Sequence, residues 1–115
     1  MRSIRRVRRI SAEDKELLAE LKRIVLGFVP DATLILYGSA ARGERDPESD
    51  YDVLILLNSP LSKELDEELD TAIYALELDR EAVLSTFLVT QKQWNQPRVV
   101  GSPYRRNVER EAVLL

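Results

Sequence analysis

The sequence contains no cysteine and no histidine. The first absence excludes disulfides and thiolate metal centres. The second excludes imidazole acid–base chemistry and most zinc sites. Any metal must therefore be held by oxygen, which selects a hard ion such as Mg²⁺ or Mn²⁺. No apolar run approaches the ~20 residues a helix needs to cross a bilayer. The N-terminal "MRSIRRVRRI" is basic, but no apolar stretch or small-residue cleavage site follows it, so it does not read as a secretory signal. A cytoplasmic location is the expectation.

What is present fits one folded domain. The chain has 115 residues, 44% apolar and 32% charged, a balance typical of globular proteins and unlike disordered or fibrous ones. Its net charge of −3 is unevenly spread. Residues 1–9 hold five of the 17 basic groups and no acid, so the remainder carries 12 basic and 20 acidic groups, a balance of −8. Residues 1–10 are expected to form a basic arm, solvated and partly disordered, ahead of a domain over 11–115. The arm could touch nucleic acid, an acidic partner or the domain's own acidic surface.

Ser11 can cap a helix over "SAEDKELLAELKRIVLGF", with Leu17, Leu18, Leu21, Ile24, Val25 and Phe28 on one stripe and Gly27 and Pro30 ending it. Thr33–Tyr37 reads as a buried strand, "SAARGE" as a short helix, and "RDPESD" as a turn broken by Pro47. "YDVLILL" is apolar on both faces beyond Asp52 and so belongs at the centre of a sheet. A second amphipathic helix follows, with Leu65, Leu69, Ala72, Ile73 and Leu76 inward and Asp66, Glu67, Glu68 and Asp70 outward. "AVLSTFLVT" is a third strand, "QKQWNQPRVVGS" a loop, and "SPYRRNVEREAVLL" a closing helix capped by Ser102 with Pro103 at its first position. The expected fold is a small α/β (α+β) domain, a three- to four-stranded mixed sheet flanked by helices.

The chemistry concentrates in "GSAARGERDPESDYDVLIL", residues 38–56. Gly38 allows a sharp turn and close approach of a ligand to the backbone. The helix start behind it offers N–H groups and a positive dipole end, suited to phosphate, with Ser39 adding a hydroxyl and Arg42 a guanidinium. Asp50 and Asp52, two apart on an extended segment, share a face. Their mutual repulsion calls for a cation, and a divalent ion bridging to a nucleoside triphosphate answers it.

This stretch resembles the Gly-Ser … Asp-x-Asp signature of the DNA polymerase beta nucleotidyltransferase superfamily. More narrowly it is similar to the minimal nucleotidyltransferases, with GSxARG, a short spacer and SDxDL. Gly38, Ser39, Ala41, Arg42, Gly43, Ser49, Asp50 and Asp52 match that pattern, and the element order fits over roughly residues 11–115. The resemblance implies Mg²⁺-dependent transfer of a nucleoside monophosphate from an NTP, ATP above all, to a hydroxyl of a partner. Gly38, Ser39, Arg42 and Ser49 would contact the nucleotide. Asp50 and Asp52 would be the catalytic and metal-holding pair.

Two departures qualify that pattern. Where relatives carry a third carboxylate on a later strand, this chain has Ser85, and Glu77, Asp79 and Glu81 precede that strand, Glu81 being the best placed. Ala40 stands where many relatives have arginine, a gap Arg45 could fill. Trp94 reads as a loop anchor that could alternatively stack on a base. Tyr37 and Tyr51 read as packing against helices. Arg105 and Arg106 face either phosphates or acidic neighbours on their own helix. At this size the acceptor surface must come from a partner. In the resembled family that is often a helical HEPN-type toxin, with the small chain as its antitoxin. The alternative is a catalytically impaired nucleotide-binding or partner-capping module. A homo-oligomer is compatible with the sequence, a membrane partner is not expected, and nucleic acid is disfavoured by the acidic balance of residues 10–115.

Overall fold

The computed structural model describes residues 1–115. Its elements follow the alternation expected, with additions at both ends. A two-residue strand β1 (Arg2–Ser3) and a 3-10 turn lead into helix α1 (Ala12–Phe28). Strand β2 (Thr33–Tyr37), the short helix α2 (Gly38–Arg42), strand β3 (Tyr51–Leu57), helix α3 (Lys63–Arg80) and strand β4 (Leu84–Thr90) form the body. Single-turn helices α4 (Gln91–Trp94) and α5 (Pro97–Val100), helix α6 (Pro103–Glu111) and strand β5 (Val113–Leu114) close the chain.

The caps are those the sequence encodes. Ser11, Ser62 and Ser102 each accept a hydrogen bond from the backbone N–H three residues on, which satisfies a donor that the helix leaves free. Thr90 and Gln93 form a reciprocal capping box, and this box turns the expected 91–102 loop into a helical start.

The sheet has five strands in the order β1-β5-β2-β3-β4. β2 and β3 are antiparallel, while β3 and β4 are parallel, joined by the α3 crossover. The expected three to four strands become five because the two termini pair with each other, β1 parallel to β5, and β5 adds to β2. The expected closing helix accordingly stops at Glu111.

Alternation sorts each strand between two layers. Leu34, Leu36, Val53 and Ile55 face α1 and α3, and with Leu18, Leu21, Val25, Leu69 and Ile73 they form the main core. Ile35, Leu54, Leu56 and Val89 face the other way, into a smaller cluster with Trp94 and Val108. Asp66, Glu67, Glu68 and Asp70 are all exposed on α3, as their spacing predicts.

The basic N-terminus departs from the expected solvated arm. Its apolar residues carry it into the fold: Val7 is 1% exposed and Ile10 4%, both in the main core. The Arg9 Nε donates to the Ala41 carbonyl at 2.8 Å. Val7→Ala should therefore cost about 1.5–3 kcal/mol in urea unfolding. Arg8→Ala, at an exposed position, should stay within about 0.5 kcal/mol. Equal small losses at both positions would contradict a packed arm.

Candidate active site

The site lies where β2 ends and β3 begins. Gly38 has φ +76° and Gly43 φ +72°, so glycine bounds α2 on both sides with a backbone few other residues adopt. At Gly38 the reason is proximity. A Cβ built there would sit 2.5 Å from the Asp52 Oδ2. The missing side chain is what lets the turn press against the carboxylate. α2 then begins immediately, with Ser39 half-buried and Ala40 and Ala41 buried beneath it.

Across the sheet, register places Tyr37, Asp52 and Ser85 in one row: Tyr37 pairs with Asp52, and Asp52 with Ser85. Asp50 lies one residue ahead of β3, not within it, and is exposed. Its Oδ2 still accepts a hydrogen bond from the Ser85 Oγ at 2.7 Å. Both aspartates thus stand on the sheet face that carries Leu54 and Phe87, at the rim beside the Gly38 turn. Ser85 occupies the place expected of a third carboxylate, directly beside the pair.

The electrostatics follow from this crowding. The Asp52 carboxyl is held above the usual range, first by partial burial, then by the charge of Asp50, and third by that of Glu111. Tyr37 is pushed well above its ordinary value, first by burial, then by the hydroxyl–hydroxyl bond it shares with Tyr104, with the Asp52 charge adding to both. It stays a neutral phenol in the row and cannot serve as a base. No group of three or more Asp, Glu, His or Cys residues gathers anywhere in the molecule to form a complete metal cage. A hard ion bound by one or two carboxylates, with water and substrate phosphates completing its shell, fits this donor set, and Mg²⁺ binds in that manner.

The raised Asp52 has a stability consequence. The folded state binds that proton more tightly than the unfolded chain. Stability therefore falls as pH rises from the ordinary carboxylate value, about 3.9, through the raised one. Asp52→Asn removes the crowded charge. In the absence of divalent cations at pH 7 it should raise the Tm by about 2 °C, a small effect because much of the group is solvated. That gain should disappear in scans at acid pH, and a lowered Tm at pH 7 would contradict the crowding.

Other predicted residues have protein partners of their own. Arg42 is held by carboxylates, with its Nε 2.9 Å from Glu44 and its other arm on Glu111 of α6. It ties α2 to the closing helix. The Ser49 carbonyl accepts from Arg45 at 3.0 Å, and its N–H donates to the Asp46 carbonyl. Arg45 does not fill the gap at Ala40. Its guanidinium turns inward, bonded to the carbonyls of Asp46 and Ser49, stacked 4.2 Å from the Tyr51 ring centroid and 3.6 Å from Asp14 of α1. That network, with the Tyr51 hydroxyl donating to Asp14 at 2.6 Å, pins the turn leading to Asp50.

Glu77 accepts from the Leu84 N–H at 2.9 Å, and Glu81 ends α3 in the left-handed region at φ 52°. Asp79 pairs with its neighbour Arg80. All three serve the α3–β4 connection, not the site. Trp94 is buried at the end of α4, not in a loop, and Arg105 is stacked on it and bonded to Glu109. Sequence reasoning missed Glu111, which no motif marks. It reaches the site only because α6 packs back against α2.

The profile of the nucleotidyltransferase domain family matches residues 15–114. The chain belongs to that family, and its five-stranded mixed sheet flanked by helices is a nucleotidyltransferase-like fold. A protein of Methanocaldococcus jannaschii named "Putative protein adenylyltransferase" is 31% identical over 91 residues, spanning 79% of this chain and 88% of that protein.

Proposed function

We propose that this chain is a cytoplasmic, Mg²⁺-dependent nucleotidyltransferase that moves AMP from ATP onto a hydroxyl of a protein partner. The observation that carries the reading is the contact between turn and dyad: a glycine whose absent Cβ would collide with Asp52, beside a second aspartate on the same sheet face. Such an arrangement brings backbone N–H groups and two carboxylates to one point. Triphosphate and divalent cation can be held there together.

Gly38 and Ser39 would take the β- and γ-phosphates, and Asp50 and Asp52 the Mg²⁺. When bound, that cation neutralises charge on the leaving pyrophosphate and on the attacking oxygen. In the overall reaction the acceptor oxygen bonds to the α-phosphorus, the bond to the bridging oxygen of pyrophosphate breaks, and the hydroxyl proton is released. The protein contributes positioning and electrostatics. A protein acceptor is favoured by the name of the Methanocaldococcus relative. A helical HEPN-type subunit, held in a toxin–antitoxin pair, is the partner the minimal-nucleotidyltransferase motif suggests.

The test uses ATP labelled at the α- or at the γ-phosphate, with Mg²⁺ and a candidate helical partner. Label on the partner from the α position alone supports the reading. One observation favours a second reading, a module that binds nucleotide or caps a partner without transfer: Ser85, not a carboxylate, bonds Asp50. Metal-dependent ATP binding with no label transferred to any partner would favour that module.

A further inference from the structure

Beside the dyad, the same sheet face carries an aromatic hollow that the phosphate chemistry does not use. Phe87 lies two residues beyond Ser85 on β4, and alternation puts both side chains on the Asp52 face. Phe87 is 52% exposed on a strand otherwise largely covered. Tyr104, 38% exposed, stands edge-on to it with centroids 6.4 Å apart. Tyr104 also touches Tyr37, the cross-strand partner of Asp52, with centroids 5.9 Å apart and a 2.8 Å hydroxyl–hydroxyl bond. Phe87 and Tyr104, together with Trp94, Gln93 and Gln96, line a cavity of about 560 Å³. That is within the usual range of small-ligand pockets, ~300–1,000 Å³.

We infer that this hollow receives the base of the same nucleotide whose phosphates the Gly38 turn and the aspartates hold. The inference rests on the nucleotidyltransferase reading and adds to it the residues that grip the nucleoside. Continuity selects the occupant. Phe87 is one strand and two residues from Asp52, a separation of about 8 Å from strand spacing and rise, which a ribose bridges. Exposed aromatic faces next to side-chain amides suit a planar heterocycle, since every base offers a π-face and polar edges. Phe87 is therefore the stacking residue of the site, with Tyr104 set edge-on beside it.

The experiment compares two ligands on the full-length chain by calorimetry, Mg²⁺–ATP and Mg²⁺–tripolyphosphate, the second having no base. The wild type should bind ATP more tightly than tripolyphosphate. Phe87→Ala should weaken ATP about tenfold, as loss of one base–aromatic stack does, and leave tripolyphosphate unchanged. Phe87→Trp should restore ATP affinity. Phe87 is exposed, so the alanine variant keeps the fold, which circular dichroism checks. Unchanged ATP affinity in Phe87→Ala overturns the subsite and leaves the hollow to a protein partner. Equal weakening of both ligands overturns it too. Failure of the wild type to bind either ligand overturns the parent reading and the subsite with it.

Discussion

Asp50→Asn and Asp52→Asn should each reduce nucleotidyl transfer by at least about 10³-fold while leaving the circular dichroism spectrum unchanged. Amide for carboxylate keeps the shape and removes the charge that would hold the cation. Charge stabilisation by a bound metal is worth several kcal/mol in a transition state, and about 4 kcal/mol is a factor of 10³. The two variants should differ in stability. Asp52 is crowded by Asp50 and Glu111 and partly buried, so its neutralisation relieves repulsion. Asp50 is exposed and bonded to Ser85, so its amide replacement should be nearly neutral for the fold. Rates from α-labelled ATP, set beside melting curves, separate chemistry from folding. Retention of more than a tenth of the wild-type rate in either variant would remove that aspartate from the machinery. Loss of rate matched by loss of helicity would make the effect structural.

The body of this fold was legible because its signals are local. Ser11, Ser62 and Ser102 cap the helices that begin beside them in the sequence. Period-3.6 stripes on α1 and α3 became core, and Ser85 fell beside Asp52 as counting along the strands required. What escaped depends on contacts between distant segments. The arginine-rich start looked solvated because charge dominates its composition, yet Val7 and Ile10 drive it into the core. The Val113–Leu114 strand exists only because the N-terminus and β2 offer it partners, which no window of the closing segment reveals. Arg42 and Arg45 both looked available to phosphate. Glu44 and Glu111 hold the first, and α1, through Asp14 and Tyr51, draws in the second. A basic residue's type predicts the sign of its partner, not which of several partners folding brings nearest. The two aspartates were legible as a pair, whereas the crowding of Asp52 by Glu111 arises from α6 returning to α2.

Gly38→Ala separates the cost of a turn from the cost to chemistry. Two penalties arise at this position. A residue with a side chain at φ +76° pays roughly 1–2 kcal/mol for the left-handed backbone. The new Cβ would also lie 2.5 Å from the Asp52 Oδ2. That atom is the far end of a side chain, so Asp52 rotates away and the fold survives. The stability loss should therefore stay near 1–2 kcal/mol in urea unfolding, while activity falls about a hundredfold or more, since a displacement of about 1 Å at a reacting centre can cost that much. Two other glycines supply the controls. Gly43→Ala meets a comparable φ, +72°, and the backbone carbonyl of Arg9 at 2.7 Å. Backbone yields less readily than a carboxylate, so it should lose more stability than Gly38→Ala, and its direct collision is with Arg9, not with the dyad. Gly27→Ala lies inside α1 with nothing near its added Cβ, and should gain about 0.5–1 kcal/mol from helix propensity. If activity tracked stability across the three variants, the turn would be no more than a structural turn. If activity instead collapses at Gly38 while the larger stability loss falls at Gly43, the space that glycine leaves beside Asp52 is the feature on which the chemistry depends.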